Sequence, residues 1–74
     1  VNKERRARIM KAMNMINDAR VILEQTRDEE SDYFENMPDS LKESERGVAA
    51  EEAADKLSEV VDDLENIDLS EFEE

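Results

Sequence analysis

Residues 2–36 contain neither glycine nor proline, so nothing local interrupts a helix across that stretch. Within it Ile9, Ala12, Ile16, Ala19, Leu23, Thr26, Tyr33 and Met37 recur at spacings of three and four, with Glu30 the one charged member of the series. This is the a/d seam of a heptad helix, widened on its flanks by Met13, Ile22 and Phe34. Pro38 disfavours helical geometry at the residue before it. The first helix is therefore expected at about residues 3–36, roughly 50 Å long at ~1.5 Å per residue.

The second helix has two possible starts. Ser40 with Glu43 fits a capping box, while Ser44 precedes a more continuous helical run. Ser44 is preferred, which leaves residues 37–43 as the connector with Ser40 closing a local turn. Ala50, Ala53, Leu57, Val60, Leu64 and Ile67 then repeat the seam, supported by Ala54 and Val61. The pattern weakens after Ile67, so helix is expected over about 44–69 and a frayed tail over 70–74. With Gly47 and Pro38 the only glycine and proline, a β-rich fold lacks its turn residues. The fold class expected is all-α: one domain over residues 1–74, an antiparallel, coiled-coil-like two-helix hairpin. In that arrangement Tyr33 and Phe34 face Ala49, Ala50, Ala53 and Ala54, and Lys3–Lys11 lies beside Asp62, Asp63, Glu65 and Asp68. Two helices supply little core, and Met10, Met13, Met15, Val21, Ile22 and Val61 exceed what one seam uses. A homodimer forming a four-helix bundle, or a face kept for another partner, is expected.

The sequence around the connector is the most distinctive. Tyr33-Phe34-Glu35-Asn36-Met37-Pro38-Asp39-Ser40-Leu41, then Ser44-Glu45-Arg46, leads into Glu51-Glu52-Ala53 with Leu57, Val61 and Leu64 beyond. This resembles small acidic helical-hairpin proteins of unknown function from phages, prophages and other mobile elements of Gram-positive bacteria. Their shared pattern is roughly N-M-P-[ED]-[NS]-L-x-x-S-E-R followed by an A/E/L-rich helix. The opening Asn2-Lys3-Glu4-Arg5-Arg6 is similar to their amino terminus and places Val1 where their initiator methionine stands. Gly47 departs from the pattern, standing at a position where a larger residue is usual, as does Glu43 where glycine is common. The resemblance implies a mobile-element setting in the bacterial cytoplasm and names no reaction.

Composition removes several classes of chemistry. The chain has neither cysteine nor histidine, so thiol or Ser–His–Asp catalysis and zinc–thiolate sites are excluded. Carboxylates are plentiful, but acid–base work needs one in a cleft, and two helices offer none. No enzyme activity, no cofactor and no metal are expected. Calcium is disfavoured too: Asp28–Asp39 lacks the loop glycine, and counting back from Glu71 as position 12 puts Val60 at position 1 and Glu65 at the glycine position. No apolar run approaches the ~20 residues of a membrane span.

Charge is what remains. Acids number 22 against 10 bases, a net −12, and phosphates repel such a surface, so direct nucleic-acid binding is not expected. Residues 28–55 carry eleven acids against Lys42 and Arg46, net −9, whereas residues 1–27 carry seven bases against three acids, net +4. The basic segment Lys3, Arg5, Arg6, Arg8 and Lys11 is read as pairing within the chain rather than as a phosphate or membrane contact. The acidic block has two readings. It serves solubility alone, in a self-associating structural protein, or it occupies the basic groove of a host nucleic-acid-handling or defence protein as a nucleic-acid mimic. For the second, the contact residues are Asp28, Glu29, Asp32, Glu35, Glu51, Glu52 and Asp55, with Tyr33 and Phe34 positioning the tip.

Overall fold

The computed structural model describes residues 1–73, and Glu74, the last residue of the expected frayed tail, lies outside the described residues. Every regular element among them is helical: α1 at Lys3–Glu35, α2 a single turn at Asp39–Lys42, α3 at Glu45–Glu65, then a 3-10 turn at Ser70–Phe72. The molecule is a rod of 58 × 14 × 14 Å.

Local chemistry sets the ends. Asn2 caps α1 by accepting the Arg5 amide at 2.8 Å, which satisfies one of the free N–H groups of a helix start. Met37 and Pro38 end α1 as the proline requires. Among the described residues none has positive φ, so the segment between α1 and α3 contains no left-handed residue. Two extended residues stand on either side of α2: Pro38 (φ −58°, ψ 146°) and Ser44 (φ −74°, ψ 169°). Ser44 caps α3, its hydroxyl oxygen accepting from the Gly47 amide at 3.3 Å while its O–H donates to the Leu41 carbonyl. Ser40 lies inside α2 rather than closing a turn of its own.

α1 and α3 make the main packing contact. Arg20, in the middle of α1, reaches Glu65 at the last turn of α3, 3.7 Å from Nη1 to Oε1, and Met13 and Ile16 share a groove with Leu64 and Ile67. Among the described residues the buried apolar ones are Met37, Ala50 and Val61, the last only 1% exposed. Burying one such valine is worth about 2 kcal/mol, so the core is slight for a chain of this length.

The α1 seam differs from the expected one. Arg6, Ile9, Met13, Ile16, Arg20, Leu23, Arg27, Glu30 and Phe34 are half-buried, whereas Ala12, Ala19, Thr26 and Tyr33 are exposed. Both series share Ile9, Ile16, Leu23 and Glu30; they differ in whether the i+3 or the i+4 neighbour joins them. The i+4 set wins because Met13, Arg20, Arg27 and Phe34 are long. They cover more of α3 than alanine does, and the arginines keep their guanidinium groups at the solvent edge while their stems pack. On α3 the half-buried or buried positions run through Ala50, Ala53, Ala54, Leu57, Val60, Val61 and Leu64, but Ile67, past the helix end, is 41% exposed.

α3 stops at Glu65, short of the expected 69, and the tail is not simply frayed. Leu69 and Phe72 are half-buried and the 3-10 turn packs on α1. Asp68 organises this segment by accepting the Ser70 amide at 2.9 Å. Hydrogen bonds from the Ser70 side chain and then its backbone hold the exposed Asp68 carboxyl below its ordinary value. A depressed carboxyl favours the folded turn at neutral pH, and this contribution disappears as pH falls through the lowered pKa.

Gly47 is buried at the start of α3, and a Cβ there would collide with the backbone carbonyl oxygens of Leu41 and Lys42. Helix propensity alone favours Gly47→Ala by about 1 kcal/mol. The clash is with rigid backbone, so the substitution is expected to destabilise the chain by about 1–3 kcal/mol instead. Urea unfolding followed by circular dichroism distinguishes the two signs.

Candidate protein interface

Each expected contact residue can be placed on the two-helix frame. Asp28, Glu29, Asp32 and Glu35 lie on the last two turns and a little more of α1, and Glu51, Glu52 and Asp55 on the first half of α3; all seven are exposed. They share one half of the rod but not one face. Arg20, hydrogen-bonded to Glu24 at 2.6 Å and facing Glu65, marks one flank of the α1–α3 seam. At 3.6 residues per turn, Asp28, Glu35 and Glu51 fall on that same flank. Asp32 and Asp55 lie farther round, on the outer surfaces of their helices. Glu29 and Glu52 point away from this flank, so the seven carboxylates wrap the rod instead of forming a single plane.

The aromatic pair is split. Phe34 is half-buried and joins the seam, while Tyr33 is 47% exposed and faces away from it. Ala50 is buried and Ala53 and Ala54 half-buried, but Ala49 is exposed. Of the two aromatics only Phe34 lies in the seam, because the seam takes the i+4 series and leaves Tyr33 one position out of phase.

Cations that sequence reasoning passed over temper the acidic half. The Lys42 ammonium sits 5.5 Å from the Phe34 ring centroid and 3.9 Å from carboxylate oxygens of both Glu35 and Asp39. Arg27 holds Asp28 at 3.1 Å. The signal available in the sequence was spacing: Lys42 follows Asp39 by three residues, and Arg20 precedes Glu24 by four. Among the described residues Glu29, Asp32, Glu51, Glu52 and Asp55 have no cation within 4 Å.

Basic residues near the start of α1 do not pair with the end of α3 as expected. Among the described residues no ion pair joins Lys3–Lys11 to Asp62, Asp63, Glu65 or Asp68; Arg8 contacts Glu4 in its own helix at 3.5 Å, both side chains largely exposed. The reason is length. α3 ends beside the middle of α1, so the first turns of α1 extend past it.

One groove, about 190 Å3, opens beside Arg20 between Met13, Ile16 and Leu64; ligand pockets usually begin near 300 Å3. Among the described residues no three acidic side chains converge to hold a metal ion, and no helix is long and apolar enough to cross a membrane. No protein-family model, curated protein or solved structure matches the chain significantly.

Lys42 is the test of how this tip is held. Lys42→Met keeps most of the stem over Phe34 and removes the charge between Glu35 and Asp39. A loss of about 0.5–1 kcal/mol in urea unfolding at low salt is expected, shrinking at high salt, because part-exposed pairs are screened.

Proposed function

We propose that the chain is a non-enzymatic protein-binding module: an antiparallel two-helix hairpin, encoded by a phage or mobile element, that inhibits a host protein by presenting carboxylates around its tip half. The contact between Arg20 and Glu65 and that between Lys42 and Phe34 support the hairpin, since they tie the middle of α1 to the end of α3 and the connector to the end of α1. The single observation that carries the binding role is the density of uncompensated charge. Glu29, Asp32, Glu51, Glu52 and Asp55 are all exposed, lie within about 10 Å along the rod at ~1.5 Å per residue, and have no cation partner among the described residues. Like charges so close repel one another, and a basic surface relieves that repulsion on binding.

The partner chemistry that fits is a protein with a basic groove for nucleic acid, such as a host nucleic-acid-handling or defence protein. A duplex carries one charge per ~1.7 Å of axis, and carboxylates on helical rods approach such spacing when two helices contribute. Because these carboxylates wrap the rod, a groove closing around the tip fits them better than a flat surface does. A second reading, self-association, is favoured by a different part of the molecule, the exposed apolar side of α1.

Capture on the immobilised chain from a bacterial lysate tests the acidic tip. A partner should elute with moderate salt and with competing duplex DNA, and the triple variant Glu51→Lys, Glu52→Lys, Asp55→Lys should lose it by at least about tenfold. A partner that withstands both salt and DNA, and that the triple variant still retains, contradicts the proposal.

A further inference from the structure

The α1 side chains that the seam leaves out form a second heptad series. Ala12, Met15, Ala19, Ile22, Thr26 and Tyr33 follow one another at spacings of three and four, with Glu29 filling the one gap. Met15 is 63% exposed, Ile22 60% and Tyr33 47%; Ala12, Ala19 and Thr26 are exposed as well. This stripe lies roughly a quarter-turn from the α3 seam at 3.6 residues per turn, on the flank opposite Arg20, Glu24 and Glu65. The corresponding side of α3 carries Ala49, Ala53 and Val60, small or half-buried, with the exposed Lys56 and Asp63 one and two heptads beyond Ala49, so the apolar surface on this flank is the α1 stripe itself. The Thr26 hydroxyl already donates to the Ile22 carbonyl at 2.8 Å, so covering it strands no donor.

We infer that this flank binds a second copy of the same chain, with the two α1 helices antiparallel and crossing at Ala19. The inference rests on the hairpin reading above, not on any partner of the acidic tip. Its occupant is specified by the order of residues along the stripe, which is palindromic in chemistry. Extended one step toward the amino terminus, the series reads Arg8, Ala12, Met15, Ala19, Ile22, Thr26, Glu29. Reversed onto itself it sets Ala19 against Ala19, Met15 against Ile22, Ala12 against Thr26 and Arg8 against Glu29. Large meets large beside a small crossing point, and the cation at one end meets the carboxylate at the other, twice by symmetry. Parallel pairing would instead place Arg8 on Arg8 and Glu29 on Glu29. Both groups are available: Arg8 holds only its largely exposed helix neighbour Glu4, and Glu29 has no cation within 4 Å among the described residues. The arrangement also gives the overhanging basic start of α1 an acidic neighbour, the carboxy-terminal half of the other α1.

The test uses two chains, Arg8→Glu and Glu29→Arg. In the antiparallel dimer each variant alone sets like charges against each other at both ends, whereas a mixture of the two restores opposite charges at both ends. Sedimentation equilibrium of the wild type should show a dimer at concentrations up to about 100 μM. Each variant alone should raise the dissociation constant at least about tenfold, and their equimolar mixture should return to within about threefold of wild type. Ile22→Asp should be monomeric, with its helical circular dichroism at that concentration retained. A monomeric wild type that keeps its helicity overturns the dimer while leaving the hairpin standing, and assigns the stripe to some other occupant. A dimer that is indifferent to Ile22→Asp, or to the single reversals, overturns the proposed surface or its antiparallel sense. Loss of helicity in the wild type at dilution overturns the hairpin on which the inference rests.

Discussion

The packing of α3 against one stripe of α1 governs everything else in this chain. Among the described residues the buried apolar side chains are only Met37, Ala50 and Val61, and a stripe so thin must be completed by groups that are only partly apolar. Arg20 and Arg27 serve here, each half-buried, their methylene stems packing while their guanidinium groups stay at the edge. The choice of long side chains for the seam decides which residues remain outside it. Tyr33, Met15 and Ile22 are exposed because Phe34, Met13 and Leu23 are not.

That division gives the rod two unlike flanks. One carries Arg20, Glu24 and Glu65 in contact, with Asp28, Glu35 and Glu51 along it; the other carries the uncovered stripe of α1. An acidic tip and an apolar flank place different demands on a partner. Charge acts over about 8–10 Å at moderate salt and speeds encounter, while the stripe requires close packing and excludes water. The proposed pairing of two copies would engage Glu29 alone among the uncompensated carboxylates and leave Asp32, Glu51, Glu52 and Asp55 for a basic partner.

Helix content and the position of the break were legible in the sequence because each has a local cause. Continuous helix-compatible residues run to Met37, Pro38 stops them, and Ser44 presents an oxygen to the amide of Gly47. Rotation of the seam was not legible, because Ala12 and Met13 are both acceptable neighbours of Ile9 and Ile16 when judged by apolarity alone. What separates them is reach across to α3, a property of the pair of helices. Likewise the tail reads as weak helix, and its half-buried Leu69 and Phe72 depend on an Asp68–Ser70 turn that periodicity does not detect. For the interface, the exposure of the seven carboxylates followed from their charge, but their wrapping around the rod, and the pairing of Glu35 and Asp39 with Lys42, depend on where the helices lie.

The register of α3 on α1 is tested most directly by NMR on a dilute sample of the wild-type chain. Nuclear Overhauser contacts should join Met13, Ile16 and Arg20 to Leu64 and Ile67, the residues that line one groove, and should survive within a single chain when labelled and unlabelled protein are mixed. If those contacts are absent, or arise only between differently labelled chains, α3 does not fold back on its own α1 and the account is contradicted.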